Sequence, residues 1–197
     1  MGKKLEEMTR KELWQLFPIQ LTEHRDCWAQ WYREEAQRLC ALLSDQPVRA
    51  MHHIGSTAVE GIWAKPIVDI LVELEPGANM EAAARAAVAG GYRIMSREEG
   101  RISLNLGYTE EGYAERVFHL HLRFAGDCDE VYFRNLLRSA PEFAQEYEEL
   151  KLSLWKQYEY DRDAYTEGKT AFITRFTKLA RLGHEAKESG VEIEGAQ

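Results

Sequence analysis

Apolar residues recur along this chain with two different periods, and the switch between them divides it into three parts. Within Met8–Phe17 the positions of Leu13, Trp14, Leu16 and Phe17 follow helical intervals until Pro18 stops them, which predicts a short docking helix inside residues 1–17. From Asp26 onward, Trp28, Trp31, Tyr32, Leu39 and Leu43 return at helical spacing with Arg33, Glu34, Glu35, Gln37 and Arg38 mostly between them. That pattern describes a longer helix with one packed stripe and one wet face. The period then shortens to that of a strand. Val48–Ile54, Pro66–Leu74, Tyr92–Met95, Arg101–Leu106 and Arg116–Phe124 are short, rich in β-branched residues and bounded by turn signals. Among them Met80–Ala89 is Ala-rich and closed by Gly90-Gly91, as a helix would be, and Tyr108–Tyr113 reads as a hairpin loop.

After Gly126-Asp127 the helical period returns in Glu130–Arg138, in a helix opened by Ser139-Ala140-Pro141-Glu142, and in Asp163–Leu182. The Ser-x-x-Glu spacing predicts a capping box on Ser139, with Pro141 in the tolerated first turn. Gly183–Gln197 holds four Glu and few apolar residues, so a disordered acidic tail is expected over residues 183–197. The expected fold is α+β in one domain over residues 1–182: a mixed sheet of about five strands packed by helices from both ends of the sequence.

Composition supports a core, since 45% of the 197 residues are hydrophobic and 11% aromatic. The net charge of −8 argues against non-specific attraction to nucleic acid or an anionic membrane, while leaving room for a local basic pocket that takes a small anion. There is no apolar run of the ~20 residues a membrane helix needs, and the opening Met1–Glu7 lacks a signal-peptide stretch, so a cytoplasmic location is expected. Cys27, Cys40 and Cys128 lack Cys-x-x-Cys spacing and read as ordinary packed thiols.

The chemistry concentrates in three places. A predicted strand runs from His53 into Gly55-Ser56-Thr57, where Gly permits close backbone approach and the hydroxyls suit either a phosphate or a capped turn. Asp69 interrupts the apolar run Ile67–Leu71 and must be solvated, paired or ligating; alternation puts it on one face with Ile67, Leu71 and Glu73, the last too far along the strand to share a metal easily. His119, His121 and Arg123 share a face with Val117, opposite Phe118, Leu120, Leu122 and Phe124. Two imidazoles at i and i+2 can converge on one metal or phosphate, or line a polar sheet face. Further on, Lys169 interrupts the Tyr165–Phe172–Phe176 stripe, so its ammonium either snorkels outward or meets an anion in a cleft. Arg134 and Arg138, one turn apart, could flank the same anion.

Together, His53–Val59, Lys65-Pro66-Ile67-Val68-Asp69-Ile70-Leu71-Val72, His119–Leu122 and Ala164–Phe172 resemble the GrpB family, and Leu13–Ile19 is similar to its longer N-terminal variant. The likeness covers about residues 8 to 182. It implies a nucleotidyltransferase-like fold more securely than an activity, and a similar domain is fused to dephospho-CoA kinase in some bacteria. In that superfamily a Gly-Ser turn holds nucleotide phosphates and spaced acids bind divalent metal; Gly55, Ser56 and Asp69 match, whereas Leu71 stands in the second acid's place and His119 and His121 where a third would be.

The resemblance thus implies a nucleotide or other phosphorylated small molecule, with phosphoryl or nucleotidyl transfer if there is turnover. In it Gly55, Ser56 and Thr57 would hold phosphate, while His53, Asp69, His119 and His121 would form a polar or metal-binding floor, and Lys65, Arg134 and Lys169 would neutralise charge. Asp69, His119 and His121 are the catalytic and metal candidates. The implied cofactor is a divalent cation, Mn²⁺ or Mg²⁺ ahead of Zn²⁺, although a His/Asp set in itself leans to Mn²⁺, Fe²⁺ or Zn²⁺. The alternatives are a non-catalytic ligand-sensing or interaction module and a metal-assisted phosphoesterase; a homo-oligomer or a kinase partner is compatible with each.

Overall fold

The computed structural model describes residues 3–188. Its elements, in chain order, are α1 (Arg10–Leu16), α2 (Cys27–Leu42), β1 (Val48–Ile54), β2 (Val68–Leu74), α3 (Met80–Ala89), β3 (Arg93–Glu98), β4 (Arg101–Thr109), β5 (Gly112–Phe124), α4 (Asp129–Ser139), α5 (Pro141–Tyr158) and α6 (Arg162–Glu188), with a short 3-10 turn over Ser56–Ala58. The strands form one mixed sheet in the order β1-β2-β5-β4-β3. Only the β2–β5 pair is parallel; its register sets Asp69 beside His119 and Leu71 beside His121. The fold is therefore α+β, with a five-stranded sheet between helices.

Strand alternation divides the sheet into two unlike faces. Ile70, Val72, Leu104, Leu120 and Leu122 turn toward α2 and α3, where they meet Trp28, Leu39, Ala83 and Ala87 in the main core. The opposite face carries Asp69, His119 and His121 beneath α4, α5 and α6. Gly168 belongs to the junction of α5 and α6: a Cβ there would collide with Leu154, so the missing side chain lets the two helices close up and brings the following Lys169 over the sheet.

The structure alters several details of the sequence reading. Glu35, expected on the wet face of α2, is buried because its carboxylate accepts hydrogen bonds from Tyr92 Oη at 2.7 Å and Arg38 Nη2 at 2.6 Å. Ser139 does not cap α5: α4 runs through it, and its hydroxyl donates back to the Leu136 carbonyl, leaving Ala140 as N-cap with no side-chain bond. β4 and β5 extend into the expected loop and leave a turn of Glu110 and Glu111. Cys40 is exposed, not packed, with its Sγ 4.0 Å from Met51 Sδ at the edge of α2 and β1. α1 is capped by Thr9, whose capping box with Glu12 is complete.

α6 continues through Gly183 to Glu188, into the stretch expected as a tail; residues 189–197 of that expectation lie outside the described residues. No helix among the described residues is long and apolar enough to cross a membrane.

Candidate functional site

The polar face of the sheet and the helices above it enclose a cleft of about 740 Å³. On its floor Asp69 Oδ1 lies 3.2 Å from His119 Nδ1 and 3.4 Å from His121 Nε2. The parallel pairing of β2 and β5 is what joins these residues, which are 50 and 52 positions apart in sequence. The ligand atoms of the three lie within 4.8 Å of one another.

Each imidazole is held from behind. Tyr108 Oη stands 2.9 Å from His119 Nε2 and also accepts from Arg162 Nη2 at 3.1 Å, while Ser103 Oγ lies 3.4 Å from His121 Nδ1. With the phenol donating to His119 Nε2, the Nδ1–H of His119 donates to Asp69; if Nδ1 instead binds a metal, Nε2–H donates to the phenol and the network still closes. Burial opposes charge on Asp69, but hydrogen bonds from the two histidines outweigh it and hold the carboxyl well below its ordinary range. Burial also pushes His119 down, against the pull of Asp69, so the floor is a carboxylate beside a neutral imidazole, the states that a metal ligand needs.

Gly55 closes the floor from the side. Its φ of +70° with an extended ψ is a conformation open essentially to glycine, and a Cβ there would collide with Asp69 Oδ2. Next to it Ser56 hydrogen-bonds Tyr147 at the rim. Thr57 also borders the cleft, but its hydroxyl is committed, donating to the Ile67 carbonyl at 3.3 Å and lying 3.0 Å from His53 Nε2.

The walls are basic. Six lysines and arginines line the cleft against three carboxylates, in a chain whose net charge is −8. Lys65 and Lys169 lie over the Tyr165 ring at 5.3 and 4.5 Å from its centroid. Burial and neighbouring cations lower Lys65 to about 7, with Asp69 pulling the other way, and burial lowers Lys169 to about 8 against the same pull. Lys151 of α5, buried and lowered by desolvation to about 7, donates to the Trp63 carbonyl.

Asp69, His119, His121, Gly55, Ser56, Thr57, Lys65, Arg134 and Lys169 thus all border one cleft. His53 does not. Antiparallel pairing sets it opposite Ile70, whose side chain belongs to the core face, and there its ring stacks on Tyr32 with centroids 4.8 Å apart. It supports the Thr57 hydroxyl instead of lining the floor. Arg134 reaches the cleft but spends Nη1 on the His53 carbonyl at 2.7 Å and its remaining donors on Asn135. Arg138 lies outside, bound to the Ala58 carbonyl at 2.8 Å. Sequence reasoning missed Tyr108, Tyr147, Lys151 and Arg162, which reach the site or its supports from distant elements. A Lys within an otherwise solvated helical pattern, such as Lys151, gave no local signal.

Residues 18–179 match the GrpB protein family, and the chain belongs to it. It is 32% identical to a UPF0157 protein of Pseudomonas aeruginosa over 83% of this chain and 69% of that one. Against the glutamate-rich protein GrpB of Alkalihalophilus pseudofirmus, identity is 30% over 78% of this chain and 90% of its relative. The UPF0157 protein YqkA of Bacillus subtilis is 30% identical over 79% of this chain, which spans 45% of YqkA. Among solved structures, conserved protein GrpB from Enterococcus faecalis superposes with a TM-score of 0.72 at 30% identity, covering 84% of this chain and 99% of that one.

Proposed function

We propose that the cleft binds a nucleotide or another phosphorylated small molecule around a divalent cation held by Asp69, His119 and His121, with phosphoryl or nucleotidyl transfer as its chemistry if it turns substrate over. The observation that carries this reading is the convergence of one carboxylate oxygen and two imidazole nitrogens within 4.8 Å under a lysine-rich wall. The donor set fits the ion: two neutral nitrogens and one carboxylate suit Mn²⁺, Fe²⁺ or Zn²⁺ better than Mg²⁺, which prefers an oxygen shell. A cation held there supplies Lewis-acid polarisation of a phosphoryl oxygen. Lys65 and Lys169 neutralise the phosphate charge, Ser56 donates to a phosphate oxygen, and Gly55 lets the ligand approach the backbone. Tyr108 and Ser103 fix the ring orientations.

A second reading, a module that binds the same ligand without turning it over, draws on Leu71. This residue is fully buried where a second acid would stand, so the floor has one carboxylate for a role that two-metal transfer gives to several.

Thermal unfolding in the presence of nucleotides and sugar phosphates, each with and without Mn²⁺, Mg²⁺ and Zn²⁺, tests the binding. A ligand at ~100 times its Kd adds about 2.7 kcal/mol of stability. In Asp69→Ala the metal-dependent part of that gain should vanish while the circular dichroism of the fold is kept. Metal-dependent stabilisation undiminished in Asp69→Ala, or no stabilisation of the wild-type protein by any phosphate or metal, overturns the reading. Binding with no product formed selects the second reading.

A further inference from the structure

The cleft is longer than a phosphate group requires, and its chemistry changes along its length. α6 lines it from Tyr165 to Arg181, a run of about 24 Å at ~1.5 Å rise per residue. At one end Lys65 and Lys169 both lie over the Tyr165 ring, close to Asp69. At the other end Arg181 is ion-paired with Asp129, and Lys178 of α6 also borders the cleft. Between the ends Ile173 of α6 packs in one apolar cluster with Phe133 and Leu137 of α4, and all three line the cleft. Ile173 follows Lys169 by one turn of helix, so the apolar stretch begins about 6 Å beyond the ammonium.

We infer that the ligand is a phosphomonoester bearing a linear apolar arm, its phosphate at the Lys65 and Lys169 end and its arm laid along α6 between Ile173 and the Phe133 and Leu137 side chains. This deepens the reading of the cleft as a phosphate site and rests on it. A compact polar phosphate would leave the Ile173 stretch wet, with no gain from the apolar wall. Leu137 is already buried, but Phe133 and Ile173 are half-buried, and an apolar arm takes their open area out of water and adds affinity in proportion to the area it covers.

Titration calorimetry with orthophosphate and the n-alkyl phosphates from methyl to hexyl, with Mn²⁺ present, tests the inference. Affinity is expected to rise about threefold to fourfold per added methylene once the arm passes Lys169, the value of a buried CH₂. Ile173→Thr, which keeps β-branching but replaces the apolar ethyl arm with a hydroxyl, should flatten that rise while leaving methyl phosphate affinity within twofold. Lys169→Met should weaken every member of the series by a similar factor, at least tenfold, without changing the slope. If all the alkyl phosphates bind equally well, or if Ile173→Thr leaves the slope unaltered, the apolar arm is overturned and the phosphate site stands. If neither orthophosphate nor any alkyl phosphate binds, the phosphate site and the arm fall together.

Discussion

The two faces of the sheet are built from the same strands and do opposite things. On the α2 and α3 side, Ile70, Leu120 and Leu122 are fully buried among other apolar groups, and the buried carboxylate of Glu35 is paired inside the protein with Arg38 and Tyr92. On the other side the alternate residues Asp69, His119 and His121 look into a cleft lined by six lysines and arginines against three carboxylates. Burial of the first kind stabilises by removing apolar area from water. Burial of the second kind works against stability, and it is retained because the dry face supplies the surplus. A site that strains its own charges is therefore carried by the face that has no role in binding.

The largest test of this contrast compares neighbours on one strand. Leu120→Ala should cost about 2–5 kcal/mol in urea unfolding, the range for a fully buried leucine. His121→Ala, one residue on and across the sheet, should cost about 1 kcal/mol, the net worth of an ordinary hydrogen bond. Equal losses would mean that the cleft face contributes to the core as much as the dry face does.

Next in size is Gly55→Ala, which meets both a backbone conformation reserved for glycine and the Asp69 carboxylate. The combined strain and overpacking should cost about 2–4 kcal/mol. Because the displaced group is Asp69, metal-dependent stabilisation should fall in the same variant. A Gly55→Ala protein that is destabilised but binds metal normally would separate the turn from the floor.

How much of this was legible beforehand depended on whether a residue's partner lay within one element. β1 and α3 have the bounds that the apolar period and Gly90-Gly91 predict, because alternation and capping are local. The grouping of Asp69 with His119 and His121 could be expected from shared faces, but the parallel register that seats Asp69 beside His119 is set by a crossover through α3, β3 and β4, which no local pattern encodes. His53 was placed on the wrong face for the same reason: its neighbours in sequence suggested the phosphate turn, and only pairing with Ile70 assigns its side chain. Lys151 and Arg162 are solvated by their helical pattern, but the docking of α5 and α6 buries the first and half-buries the second, a tertiary effect.

His53 yields a pH test of the dry face. Burial, reinforced by Arg138 and Arg134 and opposed by Asp69, lowers it from the usual 6.5 to about 4. Between those two values the unfolded chain takes up a proton that the folded chain refuses, so stability falls as the pH drops through this window and is regained as it rises. The loss from this group is at most about 3 kcal/mol. His53→Gln, which retains a polar partner for Thr57, should flatten the slope of unfolding free energy between pH 6.5 and 4. An unchanged slope would assign the acid sensitivity to other groups.

The smallest expected effect is the loss of a cleft lysine from the ligand-free protein. Burial lowers Lys169 to about 8, which means that holding its charge in the cleft costs stability at neutral pH. Its approach to the Tyr165 ring, 4.5 Å from the centroid, returns part of that cost through a cation–π contact of about 0.5–2 kcal/mol. Lys169→Met keeps the stem packed against α6 and removes both contributions; they oppose each other and the desolvation cost is the larger, so the variant should be modestly more stable than wild type. The unfolding free energy at pH 7, compared with that at pH 9.5, reads the sign: the gain from the variant should shrink as wild-type Lys169 sheds its proton in the folded state above about 8 while the unfolded chain still keeps it. A marked destabilisation at pH 7 would make Lys169 part of the scaffold, and the polar face would then have to be redrawn without its central cation.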